Sequence, residues 1–130
     1  MDSHRGTVLI VDDEPAVRQV LQLLCERLGF TVLATGCGSE AVLLYQAHRN
    51  NIRVVLLDVN MPQIDGPATL ARLRAVGLNA RVAFMSGDTG RYTVEGLLAL
   101  GADGFFEKPF SLEAFTRGML ALTQQGRSAA

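Results

Sequence analysis

Short apolar segments alternate with longer segments of helical periodicity along the sequence, and this alternation limits the possible folds more than any other feature. Apolar runs rich in β-branched residues predict five strands, at residues 7–11, 30–35, 53–57, 81–85 and 104–107. The remaining segments carry apolar residues at helical spacing and predict five helices, at about residues 15–28, 39–48, 65–77, 90–100 and 111–123. The sequence is therefore a series of five strand–helix units.

Such a series predicts the α/β fold class. Strands that are apolar along nearly their whole length are typical of a parallel sheet with helices on both faces. Right-handed crossovers favour the doubly wound strand order 2-1-3-4-5 for five such units. In that order the first and third strands are neighbours at the switch point, where ligands bind beyond the carboxyl ends of the strands.

The length of 130 residues suits one domain. We expect an N-terminal tail at residues 1–6, the folded domain at residues 7–123 and a polar C-terminal tail at residues 124–130. The two cysteines, Cys25 and Cys37, form no CxxC motif and have no histidine nearby at metal-ligand spacing. They are therefore expected to be free thiols rather than a disulfide or a zinc site.

Charge and hydropathy exclude two classes of function. The formal net charge of −1 provides no basic face that could follow a phosphate backbone, so direct binding to nucleic acid is not expected. No segment approaches the roughly 18 uninterrupted apolar residues of a membrane helix, and the N-terminus lacks the apolar core of a signal peptide. We therefore expect a cytoplasmic protein without a membrane partner.

Three carboxylates lie at the predicted carboxyl ends of strands that should be neighbours. Asp12 and Asp13 follow the first strand, and Asp58 follows the third. Like charges at close range disfavour ionisation unless a cation compensates them. An all-oxygen ligand set of this kind suits Mg²⁺. A simpler interpretation is that an acid such as Asp13, shortly before Pro15, only caps the following helix.

Two further polar side chains follow the fourth and fifth strands. Ser86 comes directly after the fourth strand, and Lys108 after the fifth. Lys108 is the only lysine among the twelve basic residues of the chain. A carboxylate nucleophile, a hydroxyl donor and a mobile ammonium complete a pocket for phosphoryl transfer. Lysine suits such a pocket because it is a point charge, whereas arginine demands a fixed bidentate geometry.

Four motifs, each at a predicted strand end, resemble the receiver domain of two-component response regulators over residues 7–123. VLIVDDEP at residues 8–15 is similar to the opening strand and acidic pair of that family, and LLDVNMPQIDG at residues 56–66 to its phosphoacceptor segment. MSG at residues 85–87 matches the Ser/Thr segment of the family, and GADGFFEKPF at residues 101–110 matches its lysine–proline segment. The fold that this resemblance implies is flavodoxin-like.

The resemblance also implies roles for individual residues. Asp58 is the implied phosphoacceptor, with Ser86 and Lys108 as its catalytic partners. The implied ligands of Mg²⁺, for which Mn²⁺ can substitute, are Asp12, Asp13, Asp58 and the backbone carbonyl of Asn60. Phe105 occupies the position of the switch aromatic, where many members carry tyrosine, so this chain lacks the hydroxyl. Asn60 and Asp88 occupy the positions that tune hydrolysis, and the Lys108–Pro109 bond is implied to be cis.

The implied function is a signalling switch rather than a metabolic enzyme, with catalysis limited to self-phosphorylation and autodephosphorylation. A histidine kinase or phosphotransfer protein would supply the phosphoryl group. The fourth helix, fifth strand and fifth helix would then present a changed surface to a protein partner or to a second copy. Only a short tail follows the last predicted helix, so we expect no effector domain within this chain. The alternative is an excised receiver domain of a longer regulator with a C-terminal effector.

Two enzyme classes are alternatives to this interpretation. The segment TGCGSEA at residues 35–41 imitates a dinucleotide-binding fingerprint, but it follows the second strand rather than the first. A turn into a helix explains its glycines. An aspartate-nucleophile phosphatase would share the chemistry of Asp58 and Mg²⁺. Such enzymes usually carry a second acid two residues after the nucleophile, where this chain has Asn60, together with a cap that 130 residues barely allow.

Overall fold

The computed structural model describes residues 5–124, which form a five-stranded parallel sheet between two layers of helices. The strand order is β2-β1-β3-β4-β5, and every neighbouring pair is parallel, so the predicted fold class and order are confirmed. The strands are β1 (Thr7–Val11), β2 (Thr31–Thr35), β3 (Ile52–Asp58), β4 (Arg81–Ser86) and β5 (Gly104–Glu107). Most of the predicted N-terminal tail at residues 1–6 and most of the predicted C-terminal tail at residues 124–130 lie outside the described residues.

One helix follows each strand. The helices are α1 (Pro15–Arg27), α2 (Gly38–Ala47), α3 (Gly66–Ala75), α4 (Val94–Ala99) and α5 (Leu112–Gln124). Side chains cap the backbone N–H groups at the start of three of them: Asp65 at α3, Thr93 at α4 and Ser111 at α5. The Ser111 side chain accepts from the Ala114 N–H at 3.0 Å, as its position before the helix predicted. No helix within residues 5–124 is both long and apolar enough to cross a bilayer.

Helix α4 is shorter than the sequence predicted, because it begins at Val94 rather than near residue 90. Gly90 adopts a φ of 64°, which interrupts a right-handed helix. The Asp88 carboxylate accepts a hydrogen bond from the Gly90 N–H at 2.9 Å and stabilises a turn instead. Residues 87–93 therefore form a loop, called here the β4–α4 loop, between Ser86 and the capping residue Thr93.

Alternate residues of the strands point into two separate core layers. In β1, Leu9 and Val11 belong to the layer covered by α2, α3 and α4, whereas Val8 and Ile10 belong to the layer covered by α1 and α5. All four of these side chains are fully buried. Burial on both faces explains why the strands read as continuous apolar runs.

Helix α3 starts in direct contact with the carboxyl end of β3. A Cβ atom at Gly66 would collide with the backbone carbonyl of Asp58 and with Cα of Val59. The Gly66 N–H donates to the Val59 carbonyl at 2.8 Å. The absence of a side chain at Gly66 therefore allows the start of α3 to pack closely against the segment after Asp58.

Candidate functional site

Three carboxylates meet at the carboxyl end of the sheet. Asp12 follows β1, Asp13 comes next in the chain, and Asp58 is the last residue of β3. Each offers one oxygen, and these oxygens all lie within 4.8 Å of one another. Asp12 and Asp58 are buried, whereas Asp13 is exposed at the mouth of the site. The cluster thus concentrates negative charge at a point that solvent can reach from one side.

Lys108 supplies a positive charge within this cluster. Its Nζ lies 2.7 Å from Oδ2 of Asp12 and 3.4 Å from Oδ1 of Asp58. The Glu14 carboxylate also approaches Nζ, at 3.6 Å. The backbone N–H of Lys108 donates to the Ser86 carbonyl at 3.0 Å, and the Lys108–Pro109 peptide bond is cis, as the resemblance implied. The side chain therefore crosses the end of the sheet from β5 to β1.

Burial and charge shift the pKa values of Asp58 and Lys108. Burial of the Asp58 carboxylate and, second, the nearby charge of Asp12 together raise its pKa to about 7, although the charge of Lys108 opposes the shift. Burial alone would lower the pKa of Lys108, but its hydrogen bond to Asp12 and the charge of Asp58 outweigh that effect and raise it. The site thus favours a charged ammonium and needs another cation to keep Asp58 fully ionised.

The donor set fits a small hard cation. Three carboxylates provide oxygen ligands only, and one exposed member leaves room for bound water, which is the environment Mg²⁺ prefers. The sulfur or imidazole ligands of a structural zinc site are not part of this group. The two cysteines are free thiols, as predicted, and Cys25 is buried in the core. The residues present therefore fit a magnesium ion.

Ser86 lies at the end of β4 with its side chain buried. Its hydroxyl oxygen accepts from the Asp88 N–H at 3.0 Å and from Nδ2 of Asn60 at 3.5 Å. Because the oxygen accepts these bonds, the hydroxyl proton can be directed toward an oxygen atom of a bound group. The Asn60 amide also donates to the Asp88 carbonyl, which turns the Asn60 side chain toward the β4–α4 loop.

The structure adds contacts that the sequence did not indicate. The Tyr92 hydroxyl donates to Oδ2 of Asp65 at 2.6 Å, which joins the β4–α4 loop to the start of α3. Arg18 of α1 donates to the backbone carbonyl of Asp12 at 2.6 Å and holds that residue from outside the site. An open cleft of about 570 Å³ reaches the site at Asp13 and is lined further by Asn60, Met61, Pro62, Asp65, Arg91 and Tyr92.

Phe105 lies on β5, the strand before Lys108, and is half-buried. Its ring packs against the core layer under α2, α3 and α4. Asp88, for which the resemblance implied a role in tuning hydrolysis, lies in the β4–α4 loop. The structure thus places all the residues predicted for the site at the carboxyl end of the sheet or on the β4–β5 side of it.

The glycine-rich segment after β2 has a packing explanation. A Cβ atom at Gly38 would collide with the side chains of Thr69 and Ile64, so glycine allows α2 to approach α3. The segment follows β2, which is an edge strand of the sheet. Both observations favour the turn over the dinucleotide-binding fingerprint.

Comparison with known protein families gives a match over most of the chain. The family model described as the response regulator receiver domain matches residues 8–119. Among curated proteins, a probable C4-dicarboxylate response regulator, DctR, from Priestia megaterium is 32% identical over 121 residues. This match covers 92% of the chain and 52% of that protein. The chain spans about half the length of the curated relatives it first matches.

Solved structures with the same fold include a CheX–CheY complex and a chemotaxis protein. A structure described as the CheX-CheY-BeF3-Mg+2 complex from Borrelia burgdorferi matches with 32% identity and a TM-score of 0.81, over 89% of this chain and 87% of that one. Chemotaxis protein CheY4 of Vibrio cholerae matches with 26% identity and a TM-score of 0.81, over 90% of this chain and 98% of that one. Both similarities extend over the sheet and its helices rather than over an isolated motif.

Proposed function

The chain belongs to the family of response regulator receiver domains, and from this premise we propose that it is switched by transfer of a phosphoryl group to Asp58. Phosphorylation of an aspartate and dependence on Mg²⁺ are general features of the family. The observation that carries the assignment is the contact of Lys108 with both Asp12 and Asp58 in a cluster of three carboxylates. Among these carboxylates, Asp58 ends the central strand β3, and its oxygen lies within reach of the ammonium.

The transfer step follows from the chemistry of the side chains. An oxygen of Asp58 attacks the phosphorus of a phosphohistidine, the P–N bond breaks, and the imidazole nitrogen leaves with the bonding electron pair. The Lys108 ammonium neutralises charge on the phosphoryl oxygens, and the Ser86 hydroxyl donates a hydrogen bond to one of them. Hydrolysis reverses the state: water attacks the same phosphorus, the P–O bond to Asp58 breaks, and inorganic phosphate leaves while the Asp58 carboxylate is restored.

Asp12, Asp13, Asp58 and the backbone carbonyl of Asn60 are the proposed ligands of Mg²⁺, or of Mn²⁺ in its place. When bound, the ion supplies positive charge that keeps Asp58 ionised and neutralises phosphoryl oxygens. Asp13 is the exposed member of the set and contacts the ion most directly in this proposal. The raised pKa of Asp58, about 7, supports a need for such compensation.

The proposed output is a change on the surface formed by α4, β5 and α5. Ser86 moves toward the phosphoryl group, and Phe105 changes its rotamer to fill the space that opens next to β5. The change reaches the surface around Tyr92, Glu95, Phe105 and Glu107. A ring reports such a movement through packing, so the missing hydroxyl at Phe105 does not disable it. Asn60 and Asp88 are proposed to flank the attacking water and to tune the lifetime of the phosphorylated state.

Partners and context follow as further parts of the proposal. A histidine kinase or phosphotransfer protein supplies the phosphoryl group, and a protein partner or a second copy reads the changed surface. The solved complex of CheX with CheY supports a protein as a binding partner. The relatives are about twice as long as this chain, which supports the alternative of a receiver from a longer regulator. We place the protein in the cytoplasm, without direct contact to nucleic acid, and its catalysis serves signalling only.

The experiment that tests the function is incubation with a small acyl phosphate and Mg²⁺, followed by mass spectrometry of the intact chain. The wild type should gain one phosphoryl group that is labile to base. Asp58→Asn and removal of the metal with a chelator should both abolish the gain. Glu113→Gln, which removes an exposed carboxylate from α5, is the control and should be labelled like the wild type. Full labelling of Asp58→Asn, or turnover of phosphate monoesters, would contradict the proposal.

A further inference from the structure

A chain of polar contacts joins the β4–α4 loop to the start of α3. The Tyr92 hydroxyl donates to Oδ2 of Asp65 at 2.6 Å and accepts from the Arg91 guanidinium at 3.2 Å. Oδ1 of Asp65 accepts from the Ala68 N–H at 2.9 Å and caps α3. The Asp65 carboxylate therefore binds both the first turn of α3 and Tyr92, which directly precedes Thr93, the capping residue of α4.

The hydroxyl of Tyr92 is distinct from the packing of its ring. The ring is half-buried and packs against the core layer that also contacts Met61 and Phe105. Phenylalanine would keep this packing and lose only the donor. A bond from a hydroxyl to a partly buried carboxylate is stronger than one between neutral groups, because the acceptor carries charge.

Both ends of the β4–α4 loop are held in the described structure. At its first end, Ser86 accepts from the Asp88 N–H, and Asn60 donates to the Asp88 carbonyl. At its second end, Tyr92 is bound to Asp65. Between these ends lies Gly90, whose positive φ gives a backbone conformation that most residues avoid. Movement of Ser86 must therefore displace a loop whose far end is fixed to α3.

We propose that the Tyr92–Asp65 hydrogen bond is a latch that holds the β4–α4 loop in its resting position and opposes the response to phosphorylation. The inference rests on the proposed function, because it concerns the movement of Ser86 toward a phosphoryl group on Asp58. Tyr92 is a positioning residue in this account, since it touches neither the phosphoryl group nor the metal. A hydrogen bond that is present in only one of two states stabilises that state relative to the other. The shift in the equilibrium equals the difference in the free energy of that bond between the two states.

The test is a titration of the full chain with beryllofluoride and Mg²⁺, followed through the backbone NMR signals of Ser86 and Phe105. Beryllofluoride is the additive named in the solved CheX–CheY complex and imitates a phosphoryl group on aspartate. Tyr92→Phe should reach half-saturation at a concentration roughly fivefold lower than the wild type, since a net hydrogen bond is lost from the resting state only. Asp65→Asn should change affinity in the same direction, because asparagine keeps the helix cap but removes the charge.

Tyr45→Phe is the matched control. Tyr45 is the only other tyrosine, and its buried hydroxyl accepts from the Asn79 N–H at 2.8 Å, before β4 and away from the β4–α4 loop. Its loss should lower thermal stability without changing the affinity for beryllofluoride. Unchanged or weaker affinity in Tyr92→Phe, with a normal wild-type response, would overturn the latch alone. A wild type that shows no response would overturn the proposed function and the latch together.

Discussion

The ammonium nitrogen of Lys108 lies 3.4 Å from Oδ1 of Asp58, so the only lysine of the chain contacts the carboxylate at the end of the central strand. The same nitrogen lies 2.7 Å from Asp12, on the neighbouring strand β1. A single flexible side chain thus balances two buried carboxylates before any phosphoryl group arrives. In the proposed transfer, the ammonium would turn from the carboxylates to the new phosphoryl oxygens without leaving the site.

Replacement of Lys108 separates phosphorylation from the structural response. Lys108→Ala should still accept a phosphoryl group from an acyl phosphate, since Asp58 and the metal ligands remain. It should lose most of the phosphorylation-dependent NMR shifts at Ser86 and in the β4–α4 loop, because nothing then draws the phosphoryl oxygens toward β5. Lys108→Arg should also be impaired despite its equal charge, because the guanidinium is planar and bulkier. A wild-type response in Lys108→Arg would show that charge alone is sufficient.

The raised pKa of Asp58 makes stability depend on pH. The folded protein holds a proton on Asp58 up to about pH 7, whereas the unfolded chain releases it near 3.8, so this group lowers stability as pH rises between these values. Asp58→Asn should therefore have the stability of the wild type near pH 4 and exceed it above pH 7, by on the order of 1–3 kcal/mol after allowance for partial solvation.

Chemical denaturation at several pH values without metal is the measurement for this pH effect. Mg²⁺ should raise the denaturation midpoint of the wild type above pH 7 more than that of Asp58→Asn, since a ligand of the folded state stabilises it. A stability difference between the two proteins that does not vary with pH would refute the assigned cause.

The lifetime of the phosphorylated state should depend on Asn60 and Asp88. The Asn60 amide is bound to the Asp88 carbonyl beside the proposed path of the attacking water. The double variant Asn60→Ala, Asp88→Ala should change the dephosphorylation rate by at least about threefold, which corresponds to less than one typical hydrogen bond. Loss of phosphorylated protein with time, measured by mass spectrometry, gives the rate. An equal dephosphorylation rate in the double variant and the wild type would show that neither residue tunes hydrolysis.

Phe105 should be needed for the output but not for the chemistry. Phe105→Ala should be phosphorylated at Asp58 like the wild type, since the ring packs away from the carboxylates against the core. It should lose the phosphorylation-induced NMR shifts across residues 90–108 and phosphorylation-dependent association with a partner or with itself. Removal of a half-buried ring should also cost roughly 1–3 kcal/mol of stability. A full wild-type pattern of NMR shifts in Phe105→Ala would show that Phe105 does not couple phosphorylation of Asp58 to the output surface.

The fold could be predicted because its strands are buried on both faces. Continuous apolar runs such as residues 54–57 identify central parallel strands without help from any contact, and connection rules then leave few strand orders. The start of α4 was predicted too early, since apolar spacing does not reveal that Gly90 adopts a positive φ. Local turn chemistry at Asp88 and Gly90 overrode the helical pattern.

The meeting of Asp12, Asp13 and Asp58 followed from the strand order, because each lies at a strand end in the sequence. Contacts that depend on loop conformation could not be predicted in the same way. The bond between Tyr92 and Asp65 and the turn of the Asn60 amide toward Asp88 both join two loops. No periodicity or motif in the sequence encodes the approach of those loops. Only the structure shows that they are tied together.

Direct identification of the phosphorylated residue tests the central claim most sharply. After incubation with an acyl phosphate and Mg²⁺, borohydride reduction converts an aspartyl phosphate to homoserine, which tandem mass spectrometry can locate in a peptide. We predict homoserine at position 58 in the wild type and its absence when the metal is chelated. Homoserine at position 12 or 13 instead, or a stable phosphoryl group on a serine or histidine, would contradict the account.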